Sequence, residues 1–347
     1  MTHSATIAPV RGKSRSPLLF VLGGAAIAGV LIALALTATA VVPGIIAPST
    51  AVVVGLPSSR ALVDLSALVT VGMSFLPRLV GANRPARLAR VLAPARQIAV
   101  VSAAVWMVAA LVSLVLEVAD FAPEQPVTMS AITSYVKEIA SGQALVVVAC
   151  CALLYVVIGV LAVRRGEAVP VELRITVAMF SLLPLPVTGH ASSGAAGWQD
   201  VSLISIELHV LGAVSWAGGL LAVMLLLAAD RSLLAEALPR FSRLATACVF
   251  LVAITGGFNG WYDLYSTPGI HWYVALFTTG YGWILLGKIV CIGVAGLLGG
   301  YTRFMLLPQI IERRSTAVLK WTTLEIGVLG IAFGLAAVLI RAPVVTS

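Results

Sequence analysis

Charge is what this chain lacks. Of its 347 residues only 10% are charged, while 60% are hydrophobic; a soluble domain carries roughly 25% charged residues. There are too few polar side chains to cover a water-facing globule, which excludes a soluble enzyme or binding module. Alternation of apolar and polar positions is missing as well. Leu111 to Leu116 and Leu220 to Leu227 run without it, which excludes a lipid-facing β-barrel. The four cysteines, Cys150, Cys151, Cys248 and Cys291, lie in apolar segments and form no CxxC pair, so no disulfide framework is expected. There is no GxxxxGK[ST] phosphate loop, so the chain is not itself an ATP-driven pump. No nucleophile–base pair stands out, and an enzyme that does covalent chemistry is not expected.

What is present is a series of apolar runs, each long enough to cross about 30 Å of hydrocarbon. Backbone in lipid must satisfy its own hydrogen bonds, so these runs read as helices. The expected fold is an all-α polytopic membrane protein with nine spans at 18–42, 60–77, 97–119, 142–163, 172–189, 204–228, 241–263, 281–306 and 319–340. Basic residues Arg11, Lys13 and Arg15 precede the first run. That run is too long for a signal peptide and reads as a retained span.

The formal net charge is +8, but it lies in short loops. It reads as a topology signal and as attraction to anionic lipid, with no nucleic-acid partner. With the N-terminus in the cytoplasm, 18 of the 22 Lys and Arg residues fall on the cytoplasmic side. Arg60, Lys137 and Arg341 fall outside, and Lys288 lies within a span. A miscounted span would reverse every later loop, so this asymmetry supports nine spans with the C-terminus extracytoplasmic. The chain divides into a cytoplasmic tail (1–17), a five-span region (18–190) and a four-span region (191–347). Within the last, the aromatic segment 261–281 reads as an outer lid whose Trp and Tyr residues are interfacial anchors.

Polar groups within a bilayer are costly and mark functional sites. His190 ends the fifth span, His209 lies about 8 Å into the sixth at 1.5 Å per residue, and His271 is in the lid. All three fall on the outer side. Imidazole binds metal and carries protons; equally, these residues could tie helices together by hydrogen bonds. Met224 and Cys248, near the inner ends of their spans, offer soft-metal ligands or simple packing. Glu207 is an acidic lip or a partner for Lys288, whose other acidic neighbours at similar depth include Asp263, Glu117 and Asp64. Glu325, near the inner end of the ninth span, is a proton or ion-pair site without an evident partner. Trp216 and the pairs Gly218-Gly219, Gly256-Gly257 and Gly299-Gly300 predict that the sixth, seventh and eighth spans pack tightly. Pro184 and Pro186 predict a kink before His190.

The strings IELHVLGAVSWAGGL, RFSRLATACVFLVAITGGFNGW and YGWILLGKIVCIGVAGLLGGYTRFMLLP, over about 205–308, together resemble the CopD copper-resistance membrane family. The matching elements are His209, Trp216 with Gly218-Gly219, Arg240-Phe241-Ser242, Thr255-Gly256, Tyr281-Gly282 with Lys288, and Arg303 before Leu307-Pro308. Gly189-His190-Ala191 looks like a further element. Thr302 stands where the family often has Asn. The resemblance implies copper handling at the plasma membrane, usually inward movement from the outer side, with His190, His209 and Lys288 as motif residues. It also implies possible partners: an extracytoplasmic copper chaperone, and a CtaG-like oxidase-assembly module to which such chains are often fused. Two alternatives stay open. One is a haem-binding membrane electron carrier, with His190 and His209 as axial ligands. The other is copper delivery to an oxidase without translocation.

Overall fold

The computed structural model describes residues 17–38, 48–81, 85–188, 198–267, 269–312 and 317–342, and among these it is helical with no strand. The principal helices are α1 (Pro17–Leu36), α2 (Thr50–Val80), α3 (Pro85–Phe121), α5 (Ala140–Arg165), α7 (Gln199–Leu227), α8 (Arg231–Tyr265), α10 (Gly280–Tyr301) and α12 (Val318–Leu339). Shorter helices are α4 (Met129–Glu138), α6 (Val171–Phe180), α9 (Trp272–Thr278) and α11 (Leu307–Ile311). Among the described residues nine helical segments are long and apolar enough to cross a membrane, as the sequence predicts.

The fifth span is not one kinked helix. α6 stops at Phe180, and the chain continues through turns into a short 3₁₀ segment over Leu185–Thr188. Pro184 and Pro186 lack the amide hydrogens an α-helix would need here. Other ends follow from capping. Asp230 accepts from the amides of Ser232 and Leu233 at 3.1 and 3.2 Å, starting α8, and Thr279 accepts from the Gly282 amide at 3.0 Å, starting α10. After Tyr301 the helix widens into a π-turn over Thr302–Leu306.

α2 is the hub, packing on α3, α7 and α6. Its interior hydroxyls are satisfied within the helix or by neighbours: Thr70 donates to the Ser66 carbonyl at 2.8 Å, and Ser74 pairs with the Tyr155 hydroxyl at 2.6 Å. Such bonds let hydroxyls sit in apolar surroundings without penalty. α2 meets α7 at two glycines. A Cβ on Gly72 would lie 2.0 Å from the Gly218 carbonyl oxygen, and one on Gly218 would lie 2.3 Å from that of Leu68. α1 docks on α12 in the same way, with a Cβ on Gly334 meeting the Ala26 carbonyl oxygen at 2.0 Å.

The expected tight bundle of α7, α8 and α10 is not formed. α7 packs along α8 and α2, but α10 packs on α12 and barely touches α8. The glycine pairs explain the difference, because each faces its own neighbour. Gly218 meets α2, Gly219 meets the Phe241 ring, Gly256 meets His209, and Gly299 meets Glu325. Gly257 and Gly300 have no atom near their Cβ positions. The gap left between α8 and α10 is where the cavity lies.

The two ends of the bundle differ in charge. At one end Arg341 pairs with Asp120 and Glu117, and Arg60 pairs with Asp64. At the other Arg78 pairs with Glu172, and Arg240 donates to the Leu79 and Val80 carbonyls. Arg303 there reaches the Ser242 carbonyl and the Thr246 hydroxyl. α4, an element with no strong sequence signal, covers the first end: the Tyr135 hydroxyl donates to Glu117 at 3.0 Å, beside Ser141.

Candidate functional site

A cavity of about 720 Å³ opens among α7, α8, α10 and α12, with α2 at its acidic end. Its walls are largely apolar, among them Val210, Val252, Leu285, Ile292 and Phe333. Its polar groups come from four helices: Arg60 and Asp64, His209, Asn259 and Asp263, and Tyr281 and Lys288. Trp216 lines it further along α7.

His209 is held on two sides. Its Nδ1 lies 3.2 Å from the Thr255 hydroxyl oxygen, and that hydroxyl lies 2.6 Å from the Leu251 carbonyl. The carbonyl takes the one hydroxyl proton, so the hydroxyl oxygen accepts from Nδ1–H. In this arrangement the proton sits on Nδ1, and a ring N–H also interacts with the Val252 carbonyl. The ring lies against the bare Cα of Gly256, where a Cβ would stand 2.8 Å from Cε1. Thr255-Gly256 thus forms a cradle that orients the imidazole. Metal-binding histidines are commonly oriented in this way, by a hydrogen bond at one ring nitrogen. Asn259, one turn along α8, has a buried Oδ1 with no hydrogen-bond partner.

The charged groups of the cavity are interlocked. Arg60 Nε lies 3.2 Å from Asp64, and its guanidinium also reaches the Thr188 hydroxyl. Tyr281 donates to Asp263 at 2.6 Å. Lys288 interacts electrostatically with both Asp64 and Asp263. Glu207, one of the acids considered for Lys288 from sequence, is partly exposed and does not line the cavity.

The other expected site residues are dispersed. His190 lies outside the described residues. His271 is exposed, caps the start of α9 and stacks on Tyr273 with ring centroids 5.4 Å apart; it does not line the cavity. Met224 and Cys248 are buried in the hydrophobic core, and neither lines the cavity. Among the described residues no three His, Cys, Asp or Glu side chains gather as a metal site. The segment 261–281 is divided in use. Trp261, Tyr265, Trp272 and Tyr273 are exposed in the manner of anchors. Tyr262 and Tyr281 instead are buried and line the cavity. Sequence reasoning treated these two as anchors because spacing alone does not show which face of a helix looks inward. It also passed over Asn259, whose only signal is an amide in an apolar span.

Residues 49–198 match the family described as Copper resistance protein D-like, N-terminal domain, and residues 235–339 match Copper resistance protein D. The chain belongs to the copper resistance protein D family. As a member, it is a multi-pass protein of the plasma membrane connected with copper. No curated protein and no solved structure matches it. The two family regions contribute different sides of the cavity: Arg60 and Asp64 from the first, and Asn259, Asp263, Tyr281 and Lys288 from the second. α7, with His209 and Trp216, joins them in sequence and lies between them at the site.

Proposed function

We propose that this copper resistance protein D family member carries copper inward across the plasma membrane, and that the cavity is where copper is first held. With the N-terminus in the cytoplasm, as the basic loops indicate, the acidic end of the bundle is extracytoplasmic. Copper delivered there by an extracytoplasmic chaperone meets Asp64 and Asp263 at the mouth and then His209. The observation that carries this reading is the His209 imidazole itself. Its Nδ1 lies beside the Thr255 hydroxyl and the residue lines the cavity; in this reading Nε2 is the nitrogen that takes the metal. His190, at the end of the fifth span, is the second imidazole in this reading. Asn259 Oδ1 offers an oxygen donor nearby. The chain binds and moves its cargo and performs no covalent chemistry on it.

The floor of the cavity supports a second reading. Trp216 lines the cavity further along α7 than His209; in this second reading it closes the inner side, and copper is held and passed to a CtaG-like oxidase-assembly partner without translocation. Copper uptake into proteoliposomes separates the two. A haem carrier would place an iron on His209, and the absorbance spectrum of the purified protein decides that case. A Soret band would replace copper with haem as the cavity's occupant.

The direct test is His209→Ala. Copper binding to the purified full-length protein should weaken at least tenfold, and uptake should fall with it, while thermal stability stays near wild type. Uptake and binding equal to wild type would remove His209 from the mechanism.

A further inference from the structure

The cavity is far larger than an ion. At about 720 Å³ it falls within the roughly 300–1,000 Å³ of pockets that enclose small organic molecules. A metal ion holds its donor atoms within about 2.1 Å, so copper on His209 occupies one part of the space only. The rest is bounded by side chains that offer an ion nothing, among them Val252, Leu285, Ile292 and Phe333. Water is a poor filling for such walls, because each molecule needs several polar partners.

The charged groups of the lining cancel. Arg60 and Lys288 are matched by Asp64 and Asp263. Asp64 is paired with Arg60 at 3.2 Å, and Asp263 accepts from Tyr281 at 2.6 Å. A bare copper ion therefore carries into a mostly apolar space a charge that this lining does not offset. Donors are scarce as well. Cu(II) favours a square-planar set of nitrogen and oxygen ligands. Among the described residues no three His, Cys, Asp or Glu side chains gather, and His209 with His190 supplies only part of such a set.

The cavity also opens sideways. Ala253 and Gly257 on α8 and Ile289 on α10 line it and are exposed, where α8 and α10 barely touch. This opening faces the bilayer and suits an apolar body. A hydrocarbon tail by itself matches the walls but leaves His209 against hydrocarbon, together with Asn259, whose Oδ1 has no hydrogen-bond partner.

We propose that copper occupies this cavity as a chelate, bound on one side by His209 and on the other by a small, largely apolar organic ligand with an anionic donor. The body of that ligand fills the space between α8, α10 and α12. This rests on the reading of the cavity as the place where copper is held. The anionic donor brings the counter-charge that the lining lacks, and the chelator completes the set of donors that the histidines begin. Its apolar body covers the walls.

8-Hydroxyquinoline is the probe, an apolar bidentate ligand that loses its hydroxyl proton on binding copper. 8-Hydroxyquinoline-5-sulfonate has the same nitrogen and oxygen donors and adds a sulfonate that apolar walls reject. Each is mixed in equal amount with Cu(II) and added to the purified full-length protein in detergent. The apolar chelate should stay with the protein through gel filtration, with copper and chelator in equal amounts. Pulsed EPR should show an imidazole nitrogen on that copper, absent in His209→Ala. The sulfonated chelate should bind roughly tenfold more weakly or worse. Ala336→Phe and Ala332→Leu each enlarge a small side chain of α12 that lines the cavity. Both should weaken binding of the apolar chelate about tenfold or more, while binding Cu(II) supplied as the acetate within twofold of wild type. A chelator that strips copper from the protein overturns the proposal, as do equal affinities for the two chelates. Retention of the apolar chelate by His209→Ala as by wild type also overturns it, as does wild-type affinity for that chelate in both enlarged variants. Copper uptake into proteoliposomes from the acetate, with no ternary complex formed, overturns the chelate and keeps the transport reading. A ternary complex in a protein that moves no copper supports the chelate and refutes transport.

Discussion

Gly256→Ala tests the cradle around His209 most sharply. The added methyl would stand 2.8 Å from Cε1 and 3.1 Å from Nδ1 of the imidazole. Ordinary carbon contacts lie at about 3.5–4.0 Å, so the ring must retreat by roughly 0.7 Å or more. It has room to do so, because it borders the cavity, and the helices need not spread. The Nδ1 bond to Thr255 is already 3.2 Å long, at the upper limit for such a bond, and the retreat breaks it. Losing it costs about 1 kcal/mol, and tilting the ring away from its ligand direction costs a similar amount. At 1.4 kcal/mol per decade, copper binding should weaken about tenfold or somewhat more. Gly257→Ala is the matched control, since no atom lies within 4 Å of its Cβ position. Copper titration of both purified variants, beside their melting temperatures, is the assay. Equal affinities in the two variants, with both stable, would refute the cradle.

Thr255→Val keeps the shape of the side chain but removes the acceptor for Nδ1–H; copper binding should fall severalfold, and equal affinity in Thr255→Val and wild type would show that the Nδ1 bond does not orient the ring. Gly72→Ala places a methyl 2.0 Å from a backbone oxygen of α7, so the α2–α7 contact must open; a loss of about 1–3 kcal/mol or more is expected, read as a lower melting temperature and reduced yield. Lys288→Met removes a cation from the cavity and should tighten copper binding severalfold through lost repulsion; unchanged binding with a large drop in stability would make Lys288 a helix lock instead. Tyr135 lies outside the spans, and burial raises its hydroxyl's pKa to about 12, opposed by the Ser141 hydroxyl and reinforced by Glu117. Its contribution is therefore intact below the ordinary tyrosine value near 10 and lost as pH rises toward about 12. Tyr135→Phe should flatten that part of the stability profile, and a profile identical to wild type would refute it.

The sequence by itself determined the class, the number of spans and the identity of the polar residues worth watching. These follow from composition and length, which are one-dimensional: an apolar run of sufficient length must be a helix in lipid whatever it packs against. It also marked His209, Lys288, Asp263 and Glu325, because an ionisable group in an apolar span is conspicuous without any structure. Which helix each glycine faces was decided only in three dimensions. Gly218, Gly256 and Gly299 look alike in sequence, yet one admits a backbone, one an imidazole and one a carboxyl. The same holds for Tyr262 and Tyr281, which turn inward while Trp261 and Tyr265 turn out. Such choices depend on how each helix is rotated about its own axis. That rotation is set by the sum of many packing contacts with helices distant in the chain. The tertiary structure therefore separated α10 from α8 and opened the cavity between them.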